Sequence, residues 1–164
     1  MNIRGLNQKN EYVQQVCRDL KPDILTLSET KLTKNLNLAG LRAHQTYRKR
    51  NGGCANISNH GKAKLIKALG TYMCWSSIPY QQIPLHVFTC YLEPKQTKDV
   101  QNRANRILEA IEQLLERESL ARIIVAGDFN HMLPYMMEGL KKLKEERHRK
   151  LQKIGQHIGH HSSK

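Results

Sequence analysis

Apolar positions along the chain recur with two periods, and the change from one to the other marks the elements. Val13, Val16, Cys17 and Leu20 follow the 3,4 spacing of one helix face and predict a helix from about Lys9 to Leu20, which Lys21-Pro22-Asp23 ends. Before it, Asn2 to Leu6 reads as a short strand end. Ile24-Leu25-Thr26-Leu27 is a short apolar run behind a turn signal, the pattern of a strand covered on both faces. Arg50-Asn51-Gly52-Gly53 predicts a turn into a strand over Cys54-Ala55-Asn56-Ile57-Ser58, and the segments 63–69, 72–78 and 84–92 predict further strands, the last most clearly. Val100, Ala104, Ile107, Leu108, Ile111, Leu114 and Leu115 form one stripe, so a second helix is expected from about Lys98 to Arg117 with its other face charged. Ile123-Ile124-Val125-Ala126 predicts another buried strand that runs straight into Gly127-Asp128-Phe129-Asn130. Pro134 suits the first turn of a third helix with Leu133, Met136, Met137, Leu140 and Leu143 on one face. That stripe fades after Leu143, and the basic, histidine-bearing remainder is expected to be exposed or docked on a partner. Strands and helices in this order make the chain α/β, with no internal repeat.

Composition narrows this to one domain. Of 164 residues 39% are hydrophobic, enough for a single modest core. No run approaches the ~18 apolar residues of a membrane span, and Met1-Asn2-Ile3-Arg4-Gly5 offers no secretory stretch. An intracellular chain is expected; the mitochondrion and the nucleus are both open to it, and the sequence does not determine the compartment. Cys17, Cys54, Cys74 and Cys90 contain no C-x-x-C pair and are expected as free, mostly buried thiols.

Charge changes the picture more. The chain carries 27 Lys and Arg against 14 Asp and Glu, a formal +13. From Thr30 to Leu92 there is no acidic residue, while Lys31, Lys34, Arg42, Arg48, Lys49, Arg50, Lys62, Lys64 and Lys67 contribute +9. Residues 141–164 add Lys141, Lys142, Lys144, Arg147, Arg149, Lys150, Lys153 and Lys164 against Glu145 and Glu146, a further +6. Concentrated positive charge suits phosphate contacts, because each Lys or Arg reaching a phosphate releases condensed counterions. The aromatic residues, Trp75 among them, are too sparse for a base-stacking platform.

Three polar groups follow strand ends: Asn2 with Arg4, then Glu29, then Asp128 with Asn130. Neighbouring strand ends converge, so groups distant in sequence can meet at one edge of a sheet. Carboxylates there suit a hard cation such as Mg²⁺, and an amide can donate to a phosphoryl oxygen. The plainer readings are a strand-end acid for Glu29, turn chemistry for Asp128 and Asn130, and a core aromatic for Tyr91.

Five segments in order, Asn2-Ile-Arg-Gly-Leu6, Pro22-Asp-Ile-Leu-Thr-Leu-Ser-Glu-Thr-Lys-Leu32, Arg50-Asn-Gly-Gly-Cys-Ala55, Tyr91-Leu-Glu-Pro94 and Val125-Ala-Gly-Asp-Phe-Asn130, resemble the endonuclease/exonuclease/phosphatase superfamily, within it the apurinic-type endonucleases of non-LTR retrotransposons. The resemblance implies a partial two-sheet α/β sandwich over residues 1–132 and a basic helical extension over 133–164. It assigns Asn2 and Glu29 to a metal site, Tyr91 to a phosphate contact, and Asp128 with Asn130 to water orientation and phosphate stabilisation. It also implies a missing piece. The chain starts inside the first motif, and the closing Ser-Asp-His motif, whose His and Asp complete the catalytic machinery, is not found; His131, His160 and His161 stand in no matching context.

An acid–base group typically contributes ~10²–10⁴ in rate, so the leading expectation is an inactive relative without a cofactor. It would serve as a basic, nucleic-acid-associated component of a larger ribonucleoprotein such as a mitochondrial ribosome. The expected phosphate contacts are Lys31, Arg48, Lys49, Arg50, Lys62, Lys64, Lys67, Lys141, Lys142, Arg147, Arg149 and Lys150, with RNA favoured over DNA. Neighbouring subunits would cover the incomplete sheet, since open edges are not left bare. The alternative is an active Mg²⁺-dependent phosphodiesterase that nicks DNA.

Overall fold

The 3,4 stripe near the start becomes α1 (Asn10–Leu20) in a computed structural model that describes residues 1–6, 9–38, 40–46 and 52–161, with 154–161 described by backbone alone. Lys21 ends the helix in the left-handed region at φ 43°, returning its N–H to the Cys17 carbonyl at 3.1 Å, and Pro22 prevents resumption. Val13 is buried, whereas Leu20, the last residue of the stripe, is exposed.

The chain divides into two compact units, Met1–Lys95 with Ala121–Asn130, and Gln96–Leu120 with the segment from His131 onward. The first unit holds two sheets. β1 (Ile24–Ser28), β2 (Arg42–Gln45) and β3 (Cys54–Ser58) form an antiparallel sheet in the order β1-β3-β2. β4 (Lys64–Leu69), β5 (Met73–Ile78), β6 (Leu85–Tyr91) and β7 (Arg122–Asp128) form the second in that order, antiparallel except for the parallel pair β6 and β7. Outside the first sheet, Leu27, Ala55 and Ile57 pack with Val13 of α1 and with Leu6 and Leu32.

The two sheets meet face to face around a polar centre rather than a wholly apolar one. Asn56 of β3 is buried, and its side-chain nitrogen donates to the Cys74 carbonyl (3.2 Å), Ser76 Oγ (2.9 Å) and the Val87 carbonyl (3.1 Å). Its side-chain oxygen accepts from the Thr89 hydroxyl. His44 Nδ1 lies 3.0 Å from the same Ser76 Oγ. Both sheets are thereby registered at mid-strand, since a buried amide with its partners satisfied tolerates no slip. Trp75 stacks on Phe88 at 4.7 Å between centroids and donates to His86. β5 and β6 are buried on both faces, which explains their near-continuous apolar runs.

Several expectations need correction. Residues 2–6 do not form a strand: Asn2 makes an isolated bridge to Ser28, and the left-handed φ of 48° at Arg4 turns the chain away. β2 has no apolar alternation in Arg-Ala-His-Gln, so it carried no signal. The run Ile123–Ala126 lies in an edge strand, β7, whose neighbour among the described residues is β6, and Ile124 is 43% exposed. β4 is the other edge and is exposed over most of its length, with a register shift between Leu65 and Lys67.

The second unit holds α2 (Lys98–Arg117) and α3 (Leu133–His161), the latter preceded by a 3-10 turn over Asn130–Met132. Thr97 caps α2 by accepting from the Val100 N–H. The two helices approach closely where Gly139 faces the Leu108 side chain, and Arg147 Nε donates to the Ser119 carbonyl at 2.7 Å. The basic extension past Leu143 continues as helix and carries one i,i+4 pair, Glu146–Lys150, among its described ion pairs; Glu138–Lys142 lies just before it. Met136 is buried as expected, but Met137 is 60% exposed. No helix of the described residues is long and apolar enough to cross a membrane.

Candidate functional site

The C-terminal ends of β1 and β7 open on the same rim of the first unit. Past Ser28 the chain enters the left-handed region at Glu29 (φ 56°) and again at Lys31 (φ 50°). Such conformations cost ~1–3 kcal/mol each unless surrounding bonds impose them, and here they do. Gly5 and Leu6 N–H groups donate to the Glu29 and Thr30 carbonyls at 2.8 and 2.7 Å, while Thr30 and Lys31 N–H groups donate to the Gly53 and Gly52 carbonyls at 3.1 and 2.9 Å. Gly53 is required at that approach: its φ is +92°, and a Cβ there would stand 2.5 Å from Thr30 Oγ1. Three of the resembling segments thus meet in one backbone ladder.

Asp128 ends β7 opposite Tyr91, the last residue of β6, and the Leu92 N–H donates to the Asp128 carbonyl at 2.9 Å. Asn2 Nδ2 donates to Asp128 Oδ2 at 2.6 Å across 126 positions of sequence, and Asn2 Oδ1 accepts from the Arg4 N–H at 3.1 Å. Asp128 Oδ1 accepts from the Asn130 N–H at 3.2 Å, an Asx turn. Extended geometry therefore stops at Asp128: Asn130 sits at φ 48° and its side-chain nitrogen donates to the Leu92 carbonyl at 2.8 Å. A separation of two residues would place the Asp128 and Asn130 side chains on one face only in a chain that stays extended, which this one does not.

Electrostatics ties the pieces together. Burial pushes the Tyr91 phenol above its ordinary pKa, and the carboxylates of Glu29 and Asp128 raise it further, so the hydroxyl keeps its proton. Lys31 Nζ lies 3.1 Å from Glu29 Oε1, with both side chains partly exposed. Among the described residues no group of three or more His, Cys, Asp or Glu side chains is gathered to hold a metal ion. The donors at the rim, an amide oxygen and two carboxylates, nonetheless fit Mg²⁺, which takes one or two carboxylates and keeps its waters. The four cysteines are free, three of them buried, and burial pushes the Cys74 thiol up to about 12, which leaves it inert.

Among the described residues, the basic positions of the acid-free stretch do not all gather at this rim. Lys31 is there. Lys64 pairs with Ser77, Ser77 with His86 and His86 with Ile123, so Lys64 stands five residues back from Asp128, about 17 Å along the strands. Lys62 precedes it in the turn, and Lys67 lies at mid-strand; all three are exposed. Arg48, Lys49 and Arg50 lie outside the described residues. On α3, Lys141 and Arg149 are exposed, Lys142 and Lys150 pair with acids one turn back, and Arg147 is half-buried against Ser119. Sequence reasoning missed Asn56 and His44; a lone amide inside the apolar strand Cys54–Ser58 was the available signal.

Residues 1–136 match the family described as Endonuclease/Exonuclease/phosphatase. Among solved structures, the endonuclease domain of TRAS1, a telomere-specific non-LTR retrotransposon, is similar with a TM-score of 0.64 and 14% identity over 87% of this chain and 70% of that one. The 3′ phosphatase NExo from Neisseria, bound to product DNA hairpin, gives 0.63 and 19% over 79% and 55%. An AP endonuclease from Archaeoglobus fulgidus gives 0.56 and 18% over 78% and 55%. At these identities the likeness is one of fold, and the chain spans about 55% of the latter two. No curated protein matches.

Proposed function

The chain belongs to the endonuclease/exonuclease/phosphatase family, and from that premise we propose that it binds nucleic acid on this fold without hydrolysing it, as a basic component of a larger ribonucleoprotein such as a mitochondrial ribosome. The ion pair between Lys31 and Glu29 carries this reading. An ammonium 3.1 Å from the rim acid already supplies the countercharge that a cation would bring, and Asp128 is engaged by the Asn2 amide and the Asn130 N–H. The formal +13 favours a polyanion; the ribonucleoprotein reading puts RNA before DNA, with neighbouring subunits against the exposed flank of β7.

The test is fluorescence anisotropy of the full chain with RNA and DNA across a salt series. Affinity is expected to fall steeply with salt, because phosphate contacts release counterions; a chain that binds neither polymer at any salt overturns the proposal.

A second reading, Mg²⁺-dependent phosphodiester hydrolysis, is favoured by one observation: Asn2 bridges Ser28, the residue before Glu29, and its side-chain nitrogen donates to Asp128 Oδ2 at 2.6 Å, which brings three motif residues to one rim. Glu29 and Asn2 would hold the ion, which when bound supplies positive charge to a phosphoryl oxygen, and Asp128 with Asn130 would orient water. Asn2 would orient Asp128, and the protonated Tyr91 hydroxyl would donate to the phosphate. Plasmid nicking that requires Mg²⁺ and disappears in Glu29→Ala and Asp128→Ala would establish this reading and remove the first.

A further inference from the structure

The end of the first unit opposite the rim carries a second assembly of polar chemistry. The β5–β6 connection, Pro79-Tyr80-Gln81-Gln82-Ile83-Pro84, is bracketed by prolines, with Gln81 in the left-handed region at φ 55°. Arg122, the first residue of β7, holds this loop twice: Nη1 donates to Gln81 Oε1 at 2.9 Å, and the guanidinium carbon lies 5.4 Å from the centre of the Tyr80 ring. Tyr80 is 46% exposed. Beside it, a groove of about 270 Å³ is lined by Lys62, Lys64, Ser77, Tyr80, Gln81 and Gln82. Among the described residues neither lysine makes an ion pair.

We propose that this groove is a second binding site, distinct from the rim, for single-stranded nucleic acid: Tyr80 stacks on one unpaired base while Lys62 and Lys64 contact the flanking phosphates and the glutamine amides face its polar edges. Each part has a physical reason. Every base has a π-face, so one open aromatic ring accepts any of the four, but only when the base is unpaired. Arg122 supports the ring by a cation–π contact and fixes its orientation. Prolines at both ends limit the freedom that binding would otherwise remove. The lysines belong to the acid-free stretch, so no carboxylate of that stretch competes with phosphate. This inference rests on the reading of the chain as a nucleic-acid binder and adds where a single strand would be held, about 17 Å along the strands from Asp128.

The experiment measures binding of the full chain to a six-nucleotide oligouridine, to oligodeoxythymidine of equal length, and to an abasic sugar-phosphate of equal length. Tyr80→Ala is expected to weaken binding of both oligonucleotides about tenfold and to leave the abasic strand unchanged, while Tyr80→Phe retains full affinity. The double variant Lys62→Gln/Lys64→Gln is expected to weaken all three and reduce the salt slope by roughly 1.4. Equal weakening of either oligonucleotide and the abasic strand by Tyr80→Ala would exclude stacking and overturn the site. If the wild type binds oligonucleotides and none of these variants changes affinity, this site fails while the broader reading stands. If the wild type binds no nucleic acid, both fail.

Discussion

The two ends of the first unit solve different problems with similar materials. At the rim, three loops are clamped by hydrogen bonds into left-handed turns at Arg4, at Glu29 and Lys31, and at Asn130, and the acids there are engaged by Asn2, Lys31 and a backbone N–H. At the opposite end a short proline-bracketed loop is held by one arginine, and Lys62 and Lys64 point to solvent. The first end is organised inward and resists change; the second is organised outward and presents charge. Net charge alone distinguishes neither, because it does not say whether a charged group already has a partner.

The sharpest way to break the contrast is to attack the rim alone. Gly127 has φ +140°, and a Cβ there would run directly into the Cys90 carbonyl of β6. Backbone cannot yield as a side-chain tip does, so Gly127→Ala is expected to cost about 4 kcal/mol or more. Urea unfolding would read this as a large fall in midpoint, and an unchanged midpoint would mean that β6 and β7 are not locked at the rim.

Between the two ends, Asn56 joins the two sheets at mid-strand, so its loss should affect both sheets. Asn56→Ala leaves the Thr89 hydroxyl and two buried carbonyls short of a partner. An expected loss of about 2–4 kcal/mol should appear in hydrogen exchange as weaker protection in both sheets rather than at one end. Protection lost in only one sheet would contradict the central role of this amide.

Asp128→Asn is a smaller perturbation, because the amide retains shape but weakens the charge-assisted bond from Asn2. About 1 kcal/mol is expected from the same unfolding measurement. In a nicking assay, wild type and variant should be indistinguishable if the rim is a binding surface.

The smallest effect is a pH dependence from His44. Burial first, and the nearby Arg42 second, hold its pKa below the ordinary 6.5, with Ser76 Oγ facing Nδ1. The folded state therefore binds the proton less readily than the unfolded chain. Stability from this group is complete above about pH 6.5 and declines as the pH falls through the lower folded value. His44→Gln should flatten that part of the stability profile, and an unaltered acid limb would assign it to other groups.

Much of this was legible in advance. The stripe Val100 to Leu115 predicted α2 to the residue, and the apolar runs at 24–27, 54–58 and 84–92 located β1, β3 and β6 to within a residue or so. Asn2, Glu29, Tyr91 and Asp128 were all marked by their motifs before any geometry was known. Other features had no local signature. Arg42–Gln45 becomes a strand because β3 offers it an edge, and Ile124 is exposed although its run looks like a core strand. The tail stays helical after its apolar stripe has ended, with Glu146–Lys150 as an i,i+4 pair on that stretch.

Element type, helix ends and the residues bearing chemistry depend on period, propensity and turn residues within a few positions, and those are written in the chain. Where these residues stand depends on strand direction and register, which are settled by pairing between segments far apart in sequence. That is why the approach of Asn2 to Asp128, the pairing of Lys31 with Glu29 and the removal of Lys62 and Lys64 to the far end emerge only when the sheets are assembled. The amide at Asn56 holds that assembly in register by satisfying groups from both sheets at once.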